Sequence, residues 1–135
     1  MNLAEPLREG REAKLAVAYS CTPRRGFYFI TPDEDDPARV VHGWSQGQDE
    51  DSRHWWPVFD YPNEKASTEL IARAPKGFVA IANGKLISRK DRGRHSTFHW
   101  KQEIPHVPYL VTLAAGPFES LEQKDREIQA AYGDV

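Results

Sequence analysis

The chain has 135 residues, enough for one domain or most of one and too few for two. Apolar residues make up 39% and aromatic residues 11%, which excludes a disordered chain and calls for a packed core. Eighteen basic residues against twenty acidic leave a formal charge of −2, so the overall balance gives no pull toward nucleic acid or an anionic membrane.

Residues 1–10 carry Glu5, Arg8 and Glu9 with no apolar run, and so do not read as a secretory signal. No later stretch approaches the roughly 20 apolar residues of a membrane span. Cys21, the single cysteine, can form no intrachain disulfide, as suits a reducing compartment. The expectation is a cytoplasmic chain with neither nucleic acid nor membrane as partner.

Ten prolines and nine glycines are spread along the whole length and cut it into short runs, a β signature. Lys14 to Tyr19 predicts a first strand and Gly26 to Ile30 a second, with an acidic loop at Asp33 to Asp36 and a short strand within Ala38 to Gly43. That loop lacks the glycine and distal glutamate of a calcium loop and reads as solvated. Ser67 to Ala74 and Phe78 to Ala82 follow as strands. Asn83-Gly84 predicts a two-residue hairpin with Lys85 to Arg89 returning. His95 to Gln102 alternates, with Phe98 and Trp100 on one face and Thr97, His99 and Lys101 on the other. Pro105 and Pro108 bracket a kink before Tyr109 to Ala115, predicted as a buried strand. Ser120 to Ala131 has helical composition. The fold class read from this pattern is all-β, an antiparallel sandwich of about eight short strands.

Metal-dependent hydrolysis on a helix needs His-Glu-x-x-His, and none of His42, His54, His95, His99 and His106 is followed by Glu. His95 and His99 fall in a strand-like run, about 13 Å apart on one face, too far for one ion. Neither a phosphate-cradling glycine loop nor a Gly-x-Ser-x-Gly elbow occurs. Arg24 and Arg25 lie near Cys21, but no feature supplies that thiol with a base, so it reads as unreactive.

The informative segment is Trp44 to Pro62, which gathers three tryptophans, two glutamines and four acids around one arginine. Extended, Gln46 and Gln48 point to one side, and Gly47 between them admits a ligand or second backbone. An amide oxygen accepts a hydrogen bond from a substrate ammonium without the cost of burying a carboxylate. Arg53 is read as a structural partner of Asp60 or Asp51, and Trp55, Trp56 and Phe59 as core or interdomain packing.

The ordered motifs Thr22-Pro23-Arg24-Arg25-Gly26-Phe27-Tyr28-Phe29-Ile30, Trp44-Ser45-Gln46-Gly47-Gln48, Asp51-Ser52-Arg53 and Pro57-Val58-Phe59-Asp60-Tyr61-Pro62 resemble the N-terminal domain of the gluzincin zinc aminopeptidases, the group of aminopeptidase N and leukotriene-hydrolase-like enzymes. The resemblance continues through Pro75-Lys76-Gly77-Phe78, Asn83-Gly84-Lys85, Phe98-His99-Trp100, Pro105 and Tyr109-Leu110. It covers roughly Pro6 to Glu119. It implies a β-rich saddle beside a thermolysin-like catalytic domain, with the Gln46-Gly47-Gln48 stretch at a strand edge in the active-site cleft. Gln48 would then hold the substrate's free α-amino group and Gln46 would line the pocket for its first side chain. Val58 departs from the cysteine of many relatives.

The family's Gly-x-Met-Glu-Asn loop is missing, Met1 being the only methionine, and so are the zinc helix, the second glutamate ligand and the catalytic tyrosine. The start falls late and the end early for a full saddle. The expectation is therefore residues 1–135 as one partial N-terminal domain of a larger aminopeptidase. Zinc would be bound by the parent and not by this piece. The partners would be the catalytic domain of the same polypeptide and a peptide with a free N-terminus, and an exposed interdomain face could drive self-association. The alternatives are a stand-alone sandwich binding peptide or carbohydrate through Trp44 to Trp56, and a purely structural domain.

Overall fold

A computed structural model describes residues 10 and 12–119. Seven strands form: β1 (Phe27–Ile30), β2 (His42–Ser45), β3 (Ala66–Pro75), β4 (Val79–Ala82), β5 (Lys85–Arg92), β6 (His95–His106) and β7 (Leu113–Gly116). Two 3₁₀ turns, Ser52–His54 and Pro108–Leu110, complete the regular structure among the described residues. The fold is all-β, with antiparallel sheets in the orders β1-β2-β7-β4 and β3-β6-β5.

Directly opposed residues in an antiparallel pair share a face, so the register sorts the side chains. In the three-stranded sheet Ala72 opposes Phe98 and Ala74 opposes Ser96, and these side chains point inward. Phe98, Ala74 and Ser96 are buried. In the four-stranded sheet Phe27, Gly43 and Ala80 turn inward, with the Phe27 ring lying over Gly43. The sheets are tied by the Trp100 indole N–H, which donates to the Ala80 carbonyl at 2.9 Å. Trp100 is half-buried, and its indole donor finds its partner across the interlayer gap.

Several sequence expectations are corrected. Lys14 to Tyr19 forms no strand, because it pairs with none; its residues are exposed, and the Tyr19 hydroxyl donates to the Trp55 carbonyl at 3.1 Å. Asn83-Gly84 is a corner between the sheets and not a hairpin, since β4 and β5 belong to different sheets. The Asn83 amide explains the corner: it donates to the Leu110 carbonyl at 2.9 Å and accepts the Thr112 N–H at 2.6 Å. The two-residue hairpin loop is Gly93-Arg94, between β5 and β6. The last strand begins at Leu113, not Tyr109, because Pro108 opens a 3₁₀ turn. β6 continues past Pro105 through an irregularity opposite Ala66 to Thr68, which excuses the proline from the ladder. The helical reading of 120–131 lies outside the described residues. Around Asp33 and Asp36 the acidic loop is closed by Arg39, whose Nε lies 3.3 Å from the Asp36 carboxylate.

Candidate functional site

The Gln46-Gly47-Gln48 segment leaves the end of β2, a strand flanked on both sides by β1 and β7, and so departs from a sheet end and not from an edge strand. Alternation continues beyond the strand: Ser45 and Gly47 are buried, while Gln46 and Gln48 are exposed. Three contacts hold the segment. The Gln46 N–H donates to the Gly26 carbonyl at 2.9 Å, and the Asp51 N–H donates to the Gly47 carbonyl at 2.9 Å. The fully buried Ser52 hydroxyl donates to the Pro108 carbonyl at 3.0 Å, fastening the loop to the turn before β7.

Gly47 is required by packing. A Cβ built there would sit 2.5 Å from Ser52 Oγ and 2.9 Å from the Tyr109 backbone, so only a bare Cα fits. The peptide bond that follows Gln48 is cis. Both amides thus stand in solvent on a backbone fixed from behind.

Arg53 and Asp60 close the other end of the loop. The Asp60 carboxylate accepts the Arg53 backbone N–H at 2.9 Å and its Nε at 3.5 Å, while Arg53 Nη2 donates to the Asp60 carbonyl at 3.0 Å and to Glu50 at 2.6 Å. Asp51 is engaged instead by Arg25 at 3.3 Å and His54 at 3.6 Å. The Asp60 side chain is 2% exposed and that of Arg53 42%, so solvent screens the charge pair and the backbone bond carries more of the effect. Asp60→Ala is expected to cost about 1–3 kcal/mol, since it strands the Arg53 N–H. A urea midpoint equal to wild type would show that this closure contributes nothing.

The aromatic residues divide. Trp55 packs on Phe27 with centroids 5.6 Å apart, and Trp56 packs on Trp55 at 6.1 Å. Phe59, in contrast, is 78% exposed and is not core of this chain. Trp44 stacks on Tyr28 at 5.0 Å on the outer face of the four-stranded sheet. The register carries that row on through the half-buried Ala114 to the exposed Ile81, giving an apolar stripe on the outer face. Cys21 is exposed, its thiol 3.6 Å from the Trp55 carbonyl; partial desolvation, then the Cys21 charge, raise the phenol of the half-exposed Tyr19 above its ordinary value.

Among the described residues no three His, Cys, Asp or Glu side chains group so as to hold a metal ion. His99 Nε2 lies 2.7 Å from Glu69, and His95 accepts from Arg73. No helix among the described residues is long and apolar enough to cross a membrane. Sequence reasoning missed Gly26, Ser52 and Tyr109 as the clamp behind Gln46 and Gln48; each lies within a matching motif, but nothing local joins the three.

The result is a two-layer antiparallel β domain with a braced glutamine loop. Residues 1–110 match the Peptidase M1 N-terminal domain, and the chain belongs to that family. It is 26% identical over 121 residues to leucine aminopeptidase 2 of Yarrowia lipolytica, covering 89% of this chain and 18% of the relative. It is 29% identical over 126 residues to transcription initiation factor TFIID subunit 2 of Danio rerio, covering 87% and 11%. An M1 zinc metallopeptidase structure from Deinococcus radiodurans superposes with a TM-score of 0.58 at 22% identity, covering 70% of this chain and 22% of that one. The chain therefore spans only about a tenth to a fifth of the length of such relatives.

Proposed function

We propose that the chain, residues 1–135, is the N-terminal substrate-recognition domain of a larger zinc aminopeptidase, in which Gln48 accepts hydrogen bonds from the substrate α-amino group and Gln46 lines the pocket for the first side chain. The observation that carries this reading is the pair of exposed amides on a loop braced by Gly47, Ser52 and Tyr109. Fixed, solvent-facing acceptors lose little entropy when an ammonium group arrives. Zinc and its activated water would be supplied by the catalytic domain of the same polypeptide. The apolar row Tyr28–Trp44–Ala114–Ile81 is a surface that such a domain would cover, and through which the separate chain would self-associate. A cytoplasmic parent is part of the same reading.

In the full-length parent, Gln48→Ala is expected to lower kcat/KM for peptides with a free amino end by about 10- to 100-fold, the loss of one charge-assisted hydrogen bond. An unchanged value removes Gln48 from the site. A second reading is favoured by the similarity to a transcription initiation factor subunit, in which the same domain would serve assembly and not hydrolysis. Zinc-loaded parent that leaves an aminoacyl anilide uncut would decide for that second reading.

A further inference from the structure

The outer face of the three-stranded sheet, remote in sequence from the glutamine loop, carries a concentration of positive charge that the net charge of the chain conceals. From Lys85 to His95 there are five Lys and Arg residues and one acid, Asp91. The register decides which face each takes. Arg73 opposes Thr97, and Thr97 opposes Lys90; in the next row His95 opposes Arg92. Arg73, Lys90, Arg92 and His95 therefore share the outer face with the Thr97 hydroxyl. Asp91 opposes inward-facing Ser96 and pairs with Arg89 at 3.3 Å, so it turns away from the cluster. The nearest acid of β3 on the outer face, Glu69, is four residues from Arg73, about 13 Å along the strand, and is engaged by His99 at 2.7 Å.

Arg73, Arg92 and Arg94 form no ion pair with a carboxylate among the described residues. They line, with Gly93, His95 and Thr97, an open hollow of about 650 Å³. Like charges gathered on one sheet face repel, a cost that a bound anion offsets. The hollow is held in shape: the Lys76 N–H donates to the Arg94 carbonyl at 2.9 Å, anchoring the hairpin tip to the end of β3. Arg73 Nη2 lies 3.0 Å from His95 Nδ1. A guanidinium can only donate, so Nδ1 accepts and the ring proton sits on Nε2, where it remains a donor.

We propose that this hollow binds a small phosphoryl compound, through the guanidinium forks of Arg73, Arg92 and Arg94 with His95 and Thr97 as neutral donors. Guanidinium forks match phosphoryl oxygens bidentately, and a dianion balances more than one of them, which a single carboxylate does not. The volume suits a small molecule. The negative overall charge gives no long-range attraction for a nucleic acid.

The test is an NMR titration of the full chain with pyrophosphate at constant ionic strength, with inorganic phosphate and a DNA duplex in parallel. The expected result is saturable shifts confined to the amides of Arg73 and residues 92–97. Affinity should fall about tenfold or more in Arg92→Gln and in Arg94→Gln, equivalent to one charged hydrogen bond each, and stay unchanged in the distant Arg39→Gln. Retained amide dispersion in each variant establishes that it folds. No saturable shift, undiminished affinity in both arginine variants, or tighter binding of the duplex than of pyrophosphate would each overturn the proposal.

Discussion

Phe98→Ala is expected to lower stability by about 3–5 kcal/mol, the range for truncating a buried aromatic side chain. Phe98 is 1% exposed and lies in the first half of β6, the central strand of its sheet. Its neighbours cannot fill the space. Ala72 opposes it on β3, Ala74 and Ala80 are small, and the Arg89 guanidinium, 5.3 Å from the ring centroid, could fill the gap only at the cost of burying its charge. A chain this short has a thin core, so one ring is a large share of it. Ile71→Thr is the control: Ile71 is 68% exposed on the outer face, and the change should stay within about 0.5 kcal/mol. Urea unfolding of both variants checks the pair. A Phe98→Ala loss no greater than that of Ile71→Thr would contradict the assignment of the inner face.

Gly26→Ala is expected to be nearly as damaging, and its damage reaches the glutamines. Gly26 has φ +78°, where an L side chain costs about 1–2 kcal/mol. Its added Cβ would lie 2.0 Å from the Asp51 carbonyl oxygen. No rotamer relieves a clash with backbone, so about 1–3 kcal/mol of overpacking is added. Asp51 cannot simply retreat, because its N–H bonds to Gly47 and its carbonyl accepts the His54 N–H. The loop bearing Gln46 and Gln48 must shift, and in the parent kcat/KM should fall together with stability. Gly77→Ala separates the two contributions: Gly77 has φ +93° with nothing within 4 Å of the added carbon, so only the backbone strain should appear. Equal losses in the two variants would show that the Gly26–Asp51 contact is not limiting.

The parts of the fold legible in the sequence are those with strong local pattern. Phe98 and Trp100 alternate against Thr97 and His99, and β6 follows that alternation. Local pattern misleads where pairing is decided elsewhere. Lys14 to Tyr19 has strand composition but no partner, and Asn83-Gly84 has hairpin chemistry but joins strands of different sheets. In the second case the Asn83 amide is taken by Leu110 and Thr112, which a two-residue window cannot foresee.

The same division holds for the sites. The outward turn of Gln46 and Gln48 about a buried Gly47 was legible from their spacing, because exposure alternates along extended backbone whatever surrounds it. What braces the segment lies far along the chain, at Gly26, Pro108 and Tyr109. The arginine hollow was hidden for a related reason, since total charge says nothing of which face each side chain takes. By itself the sequence determined an all-β chain of the M1 N-terminal family, because period-two apolarity and ordered short motifs are local properties. Tertiary structure alone decided which strands pair, which arginines converge and what holds the glutamines outward, because those depend on register between segments that the chain brings together only on folding.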